Sequence, residues 1–223
     1  KKRCVGGNVM AQRNFPCDSA VLSYFGKALG LELGADNEHW FNRTGREPFS
    51  AQLYLCGLAQ ALWVKSAIEA SRARNELGLL TWQLNDIWPT GGWGSLEYGT
   101  PVAGQVLGGR WKPLHYLLRR TLFADVVVIC GAGGTCFVRN DGVAPFSGMA
   151  SIVAVELATG KRTPLVSVDL SGEAALAAGP GTLRLLPALP LDGVSATGHV
   201  LLARCAAARQ AGARNTLGSL TAL

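Results

Sequence analysis

The stretch LLTWQLNDIWPTGGWGSLEYG, residues 79–99, holds three of the chain's six tryptophans, Trp82, Trp88 and Trp93, beside the carboxylates Asp86 and Glu97. Sugars present apolar C–H faces rimmed with hydroxyls, so their sites combine flat aromatic surface with amide and carboxylate side chains. Trp82, Gln83, Asn85 and Asp86 supply that mixture. Two carboxylates also raise glycosidic bond cleavage. Retaining enzymes hold their pair about 5 Å apart and inverting ones about 6.5 to 9.5 Å, and the loop spacing from Asp86 to Glu97 forces neither. Structural readings compete at every position. A tryptophan packs more often than it binds, which suits Trp88, Trp93 and Trp111 better than Trp82. Asp86 can cap a loop or pair with a basic residue, Glu97 can be solvated, and His115 reads as a satisfied helix residue. His39 and His199 have no nearby partner in sequence.

These residues need elements to hold them. LGLLTWQL, residues 77–84, is a nearly continuous apolar run, the pattern of a strand buried on both faces of a parallel sheet. Residues following such a strand lie at its C-terminal end, where α/β barrels build their sites. Ahead of it, AQLYLCGLAQALWVKSAIEASRAR, capped by Ser50, reads as a helix with Leu55, Leu58 and Leu62 on one face and Arg72 and Arg74 in its last turn. Behind it, GGRWKPLHYLLRRTLF reads as a second helix with Pro113 near its first turn and Leu114, Leu117 and Leu118 inward. Helix, buried strand, loop and helix form the unit of an α/β barrel or a doubly wound sheet. Before residue 48 only SAVLSYFGKALGLEL has a helical pattern.

Beyond Phe123 the pattern changes. DVVVICGA, GTCFVRND, SIVAVEL, TPLVSVDL and GTLRLLPAL are short β-rich runs divided by GAGG, DGVAP, ATGK and AAGPG, which predicts an antiparallel sandwich. Residues 172–181 read as a loop, and the tail after Ala206 carries no usable pattern. Composition breaks at the same place. Every tryptophan lies at or before Trp111, and 14 basic residues stand against 9 acidic up to Phe123, but 7 against 6 after it.

The bulk properties bound the reading. A chain of 223 residues can bury one large core or two small ones. With 48% hydrophobic and 16% charged residues, wholesale disorder is excluded. No apolar run reaches the roughly 18 residues of a membrane helix, so no membrane partner is expected. The net charge of +6 is scattered apart from KKR at the start and Arg119 with Arg120, which speaks for a solvated surface and against nucleic acid. Cys4, Cys17, Cys56, Cys130, Cys136 and Cys205 show no metal-ligand spacing and are too sparse for a disulfide scaffold, although Cys130 and Cys136 could bridge or simply pack. No metal or cofactor is predicted. The NRT sequon at Asn42 is compatible with a secretory route. Lys1 is not followed by a signal peptide, which reads as an internal or C-terminal piece.

WQLNDIWP, GGWGSLEYG and GRWKPLHYLLRR, in this order, resemble the end of the catalytic barrel in β-mannosidases of glycoside hydrolase family 2. Those enzymes carry W-Q-L-N-D-x-W, then W-x-S-[IL]-[ED]-Y, then G-[KR]-W-K-x-L-H-Y, and the helix from Gln52 is similar to the one preceding these words. The resemblance is strong from about Ser50 to Phe123. It implies the C-terminal portion of a (β/α)8 TIM barrel over residues 1–123, with Trp82 in its eighth strand, and an immunoglobulin-like β-sandwich over residues 124–223. It implies an exo-acting, retaining enzyme acting on terminal β-mannose. Trp82 becomes an aromatic wall beside the sugar, with Asn85 and Asp86 shaping that wall or its loop. The family's two catalytic glutamates have no counterpart motif here, since Glu32 and Glu38 stand in a different context, so no catalytic residue is assigned and the fragment alone is expected to be inactive and unstable. Lysosome, vacuole and exterior all remain open as compartments. Two departures stand out: TPVAGQVLG separates words that are nearly contiguous in the family, and Pro113 replaces an ordinary helix former. The alternative is a non-catalytic carbohydrate-binding or interaction protein derived from such a glycosidase.

Overall fold

The computed structural model describes residues 18–26, 29–30, 46–76, 78–87, 93–99, 101–106, 108–131, 133–172, 175–177, 181–195, 197–207 and 216–222. Cys4, Cys17, Glu32, Glu38, His39, Asn42 and Trp88 lie outside them. The chain divides into two compact units. The first takes Lys1–Ile68 and Gly78–Leu118, the second Glu69–Leu77 and Arg119–Leu223.

In the first unit, α1 (Asp18–Phe25) is shorter than the pattern suggested. Its Val21 is sealed against Ala59 of α2 (Arg46–Ala73), among Phe25, Leu29, Leu55 and Cys56. α2 begins five residues earlier than predicted. Pro48 is tolerated in a first turn because its missing N–H is one the helix leaves unpaired anyway, and Glu47 there suits the positive end of the dipole. Ser50 therefore sits inside the helix, exposed, and caps nothing. The buried stripe runs through Ala61, Lys65 and Ile68, with Leu55, Leu58 and Leu62 only half-buried. The helix ends in a Schellman arrangement. Asn75 adopts φ 55°, its N–H reaches Arg72 O at 3.2 Å, and the Glu76 N–H reaches Ser71 O at 3.0 Å.

The strand expected at 77–84 is not formed. Residues 78–84 carry no ladder, and Leu80 is fully exposed. A strand buried on both faces is held by neighbours along both edges, and here the first pairing is the isolated parallel bridge from Asn85 to Leu96. Two short antiparallel pairs follow instead. β1 (Leu96–Tyr98) pairs with β4 (Gly109–Trp111) in the register Leu96 to Trp111, Glu97 to Arg110 and Tyr98 to Gly109. GRW thus belongs to a strand and not to the helix predicted around it. Between them β2 (Pro101–Val102) and β3 (Gln105–Val106) pair across Ala103 and Gly104, whose φ values of 49° and 78° fit a two-residue I′ hairpin turn. The TPVAGQVLG departure is therefore built as a hairpin. α3 (Pro113–Thr121) opens on its proline, buries Leu114 and Leu118, and approaches α2 where Gly57 leaves room for the Pro113 ring.

The second unit is a sandwich of two antiparallel sheets. One runs β5 (Val126–Cys130), β6 (Cys136–Asn140), β9 (Thr182–Leu185); the other runs β11 (Thr216–Ala222), β10 (His199–Ala207), β7 (Gly148–Glu156), β8 (Arg162–Asp169). The five predicted runs are all strands. β10 and β11 were not predicted. Val126, Val128, Val138, Ile152, Leu170 and Leu201 fill the space between the sheets, while Val127 and Ile129 pack on the opposite face with Ala124 and Phe137. Both faces of β5 are covered, which is why VVVIC is apolar without alternation. Cys130 and Cys136, directly opposite in the β5–β6 register, form a disulfide with Cα atoms 4.1 Å apart. Cys56 is also disulfide-bonded.

Arg72 on the last helical turn clasps this unit. Its guanidinium donates to the carbonyls of Thr121, Ala124 (2.8 Å) and Asp125 (3.1 Å) and to the Asp141 carboxylate at 2.7 Å. Arg139 donates to both Asp141 oxygens, to the Arg72 carbonyl and to Asn75 Oδ1, and the Gly181 N–H completes the carboxylate's shell at 2.9 Å. Burial by itself would raise the Asp141 pKa, but hydrogen bonds from Arg139, Gly181 and Arg72 outweigh it and hold the carboxyl down at about 2.

Candidate functional site

The aromatic segment is held by its backbone. Leu84 O accepts from Ser95 N at 2.9 Å, Leu96 N at 3.2 Å and Ser95 Oγ at 3.0 Å, while Asp86 N donates to Leu96 O at 2.9 Å. Lys112 N donates to Ser95 O at 2.9 Å, which ties both pieces to the start of α3. Gly94 permits the close approach. A Cβ there would stand 2.3 Å from the Asn85 carbonyl carbon and from Asp86 N, so no other residue fits without moving backbone. Gln60 Nε2 donates to Trp93 O at 2.8 Å and anchors the segment on α2.

The three site residues occupy different environments. Trp82 presents 72% of its surface to solvent. The next residue, Gln83, takes φ 65°, a left-handed conformation that costs a non-glycine residue about 1 kcal/mol and turns the chain sharply after the indole. Asn85 is half-buried, bridged to Leu96, and donates from Nδ2 to the Asp86 carbonyl at 3.1 Å. Asp86 is turned inward. Its side chain is 5% exposed, its Oδ1 accepts from Gly94 N at 2.9 Å, and its Oδ2 lies 3.1 Å from Lys112 Nζ. The carboxylate is thus committed to the loop and to Lys112.

Glu97 is engaged too, by Arg110 directly across β1–β4 at 2.5 Å. Asp86 and Glu97 both sit in ion pairs, which removes them as a free acid and nucleophile. His115 Nδ1 lies 2.9 Å from Ser95 Oγ, and the ring meets Trp111 at a tilt of 58° with centroids 4.4 Å apart. Ser95 is 1% exposed and also donates to Leu84 O, so with the half-buried His115 it braces the segment. Trp111 meets Tyr116 edge-on at 5.2 Å, with both rings partly open to solvent. Sequence reasoning missed Gly94, Ser95 and Lys112. Their only signal was membership of the same aromatic words. Among the described residues no group of three or more His, Cys, Asp or Glu side chains forms a metal site, and no helix is long and apolar enough to cross a membrane. What the arrangement offers chemically is a flat, exposed indole two residues before a braced backbone junction at Leu84.

No family model matches the chain. It is 44% identical over 90 residues to a β-mannosidase of Capra hircus, covering 36% of this chain and 9% of that protein. It is 32% identical over 139 residues to β-mannosidase A of Aspergillus terreus, covering 56% of this chain and 14% of that protein. The backbone is similar to the exo-chitosanase of Amycolatopsis orientalis at a TM-score of 0.55 and 15% identity, covering 94% of this chain and 25% of that one. The chain therefore spans about a tenth of the length of the curated relatives it matches. Over part of its length the chain is thus similar to β-mannosidases, and its backbone fold is similar to that of the exo-chitosanase.

Proposed function

We propose that these residues serve an exo-acting, retaining β-mannosidase that removes terminal β-D-mannose from glycans, and that Trp82 is the aromatic wall of its innermost sugar subsite. The observation that carries the reading is the exposed indole of Trp82 on a turn whose flanks are fixed by Leu84, Gly94 and Asp86. Such a platform stacks on the C–H face of a pyranose, and rigid mounting lowers the entropy lost on binding. The relatives named β-mannosidase support hydrolase chemistry. Residues 1–123 are read as the last part of a (β/α)8 barrel and 124–223 as an immunoglobulin-like domain. The exposed apolar side chains Leu80, Trp82 and Leu84 support reading this stretch as one that lacks its packing neighbours here. Asn85 and Asp86 shape the loop beneath the wall, and the catalytic glutamates are supplied by other polypeptide.

The test is hydrolysis of an aryl β-mannoside by the full-length protein. Trp82→Ala is expected to lower kcat/KM by about 10- to 100-fold, the loss of roughly 1.4 to 2.7 kcal/mol of transition-state contact, with an unchanged melting curve. Unchanged kinetics would remove Trp82 from the site. An inert parent that cleaves another β-glycoside would overturn the sugar and leave the family standing.

A second reading rests on the same exposed indole of Trp82: a non-catalytic carbohydrate-binding protein that uses this platform. It predicts saccharide binding by the 223-residue chain on its own, measurable by calorimetry with mannan oligosaccharides.

A further inference from the structure

The sandwich core contains a disulfide and a thiol together. Cys130 and Cys136 are 5% and 0% exposed, and Cys205 on β10, 4% exposed, is a free cysteine in the same apolar cluster. Along β10 the buried positions are Leu201, Ala203 and Cys205, so the thiol lies on the face that fills the core. β10 packs against β5, which carries Cys130. A chain that keeps a thiol in one core with a disulfide has to prevent their exchange. Thiol–disulfide exchange requires a thiolate, and burial pushes the Cys205 thiol up to about 12. While the sheets are closed, that thiolate is not formed near neutral pH.

We propose that Cys205 is a latent exchange thiol, silent in the closed sandwich and released to attack the Cys130–Cys136 disulfide when the sheets part. In the step, the Cys205 thiolate attacks Sγ of Cys130 or Cys136 and forms a new S–S bond. The old bond breaks, its electron pair leaves on the displaced sulfur as a thiolate, and that sulfur takes a proton from water. One disulfide is consumed and one is made, so no oxidant or reductant is needed. The product ties β10 to one strand of the β5–β6 hairpin and frees the other, a linkage that differs from the native register. Opening of the sandwich thereby becomes irreversible with time and with rising pH.

The experiment uses the full chain. It is held in guanidinium at pH 8.5 and at pH 4, quenched with acid, alkylated and mapped by peptide mass under non-reducing conditions, with refolding yield measured in parallel. At pH 8.5, peptides linking Cys205 to Cys130 or Cys136 are expected to accumulate and the refolding yield to fall several-fold. At pH 4, where an exposed thiol of ordinary pKa has lost its thiolate about tenfold per pH unit, the native pairing is expected to survive. Cys205→Ala is expected to refold equally after both treatments, and Cys205→Val serves if the smaller side chain does not fold. Without denaturant at pH 8.5, Cys205 is expected to resist alkylation. A wild-type chain whose Cys205 stays unlinked at pH 8.5, or links only to Cys56, overturns the proposal, as does rapid alkylation of Cys205 in the folded chain.

Discussion

At the scale of single residues, the aromatic segment separates presentation from support. Trp82 faces outward, whereas Asp86, the residue that looks most like chemistry in the sequence, is 5% exposed and holds Gly94 N and Lys112 Nζ. Removing one member of a buried pair strands the other charge, at a cost of about 3 to 5 kcal/mol, while removing both costs less than the sum. Asp86→Ala is therefore expected to destabilise the first unit by about 3 kcal/mol, and Asp86→Ala with Lys112→Ala to recover part of it, read from denaturant midpoints. Additive losses would mean that the pair is not coupled. Gly94→Ala is expected to be at least as damaging, because the added methyl meets backbone and not a side chain that can swing away. Little of this was legible beforehand. Lys112 lies 26 residues from Asp86, and no local pattern announces a partner at that distance.

Among the elements, legibility followed how local each element's cause was. β5 to β9 were readable because apolar runs and the glycine-rich turns between them are local features. β10 was hidden by its alanines and by Arg204, which sits outward between Ala203 and Cys205, and β11 lies in a tail whose composition resembles a loop. β1 and β4 are three residues each, too short for any periodicity, and exist through pairing across residues 99–108. Conversely, residues 77–84 have the composition of a buried strand without the neighbours that make one. The Ala103–Gly104 turn carries an alanine where asparagine is preferred, so Ala103→Asn is expected to stabilise the hairpin by a few tenths of a kcal/mol, seen as slower amide exchange at Val102 and Gln105. In the second unit, Asp141 has a pKa of about 2 against an ordinary value near 3.8. A depressed carboxyl stabilises the fold above its unfolded pKa and loses that contribution as pH falls through its folded one, here from about pH 4 toward 2. The contribution is on the order of 1 kcal/mol after allowance for solvent screening at this partly exposed site. Asp141→Asn is expected to flatten the acid limb of a circular-dichroism stability profile, and an unchanged limb would assign the acid sensitivity to another group.

For the whole molecule, the helix end matters as much as the sandwich. Glu69–Leu77 falls within the second compact unit, and Arg72 and Asn75 from that piece bind Thr121, Ala124, Asp125 and Arg139. A polypeptide beginning at Arg119 is expected to melt several degrees below one beginning at Glu69, because three backbone carbonyls and one carboxylate lose their guanidinium. Equal melting temperatures would reduce Arg72 to a surface ornament. The uneven placement of aromatic residues has an optical consequence. All six tryptophans and all four tyrosines precede residue 117 and lie outside Glu69–Leu77, leaving only phenylalanines in the second unit. Fluorescence excited at 280 nm therefore observes the first unit alone, with the sandwich dark, while far-ultraviolet dichroism observes both. The gap between those two melting curves directly measures how far one half of this chain can come apart without the other.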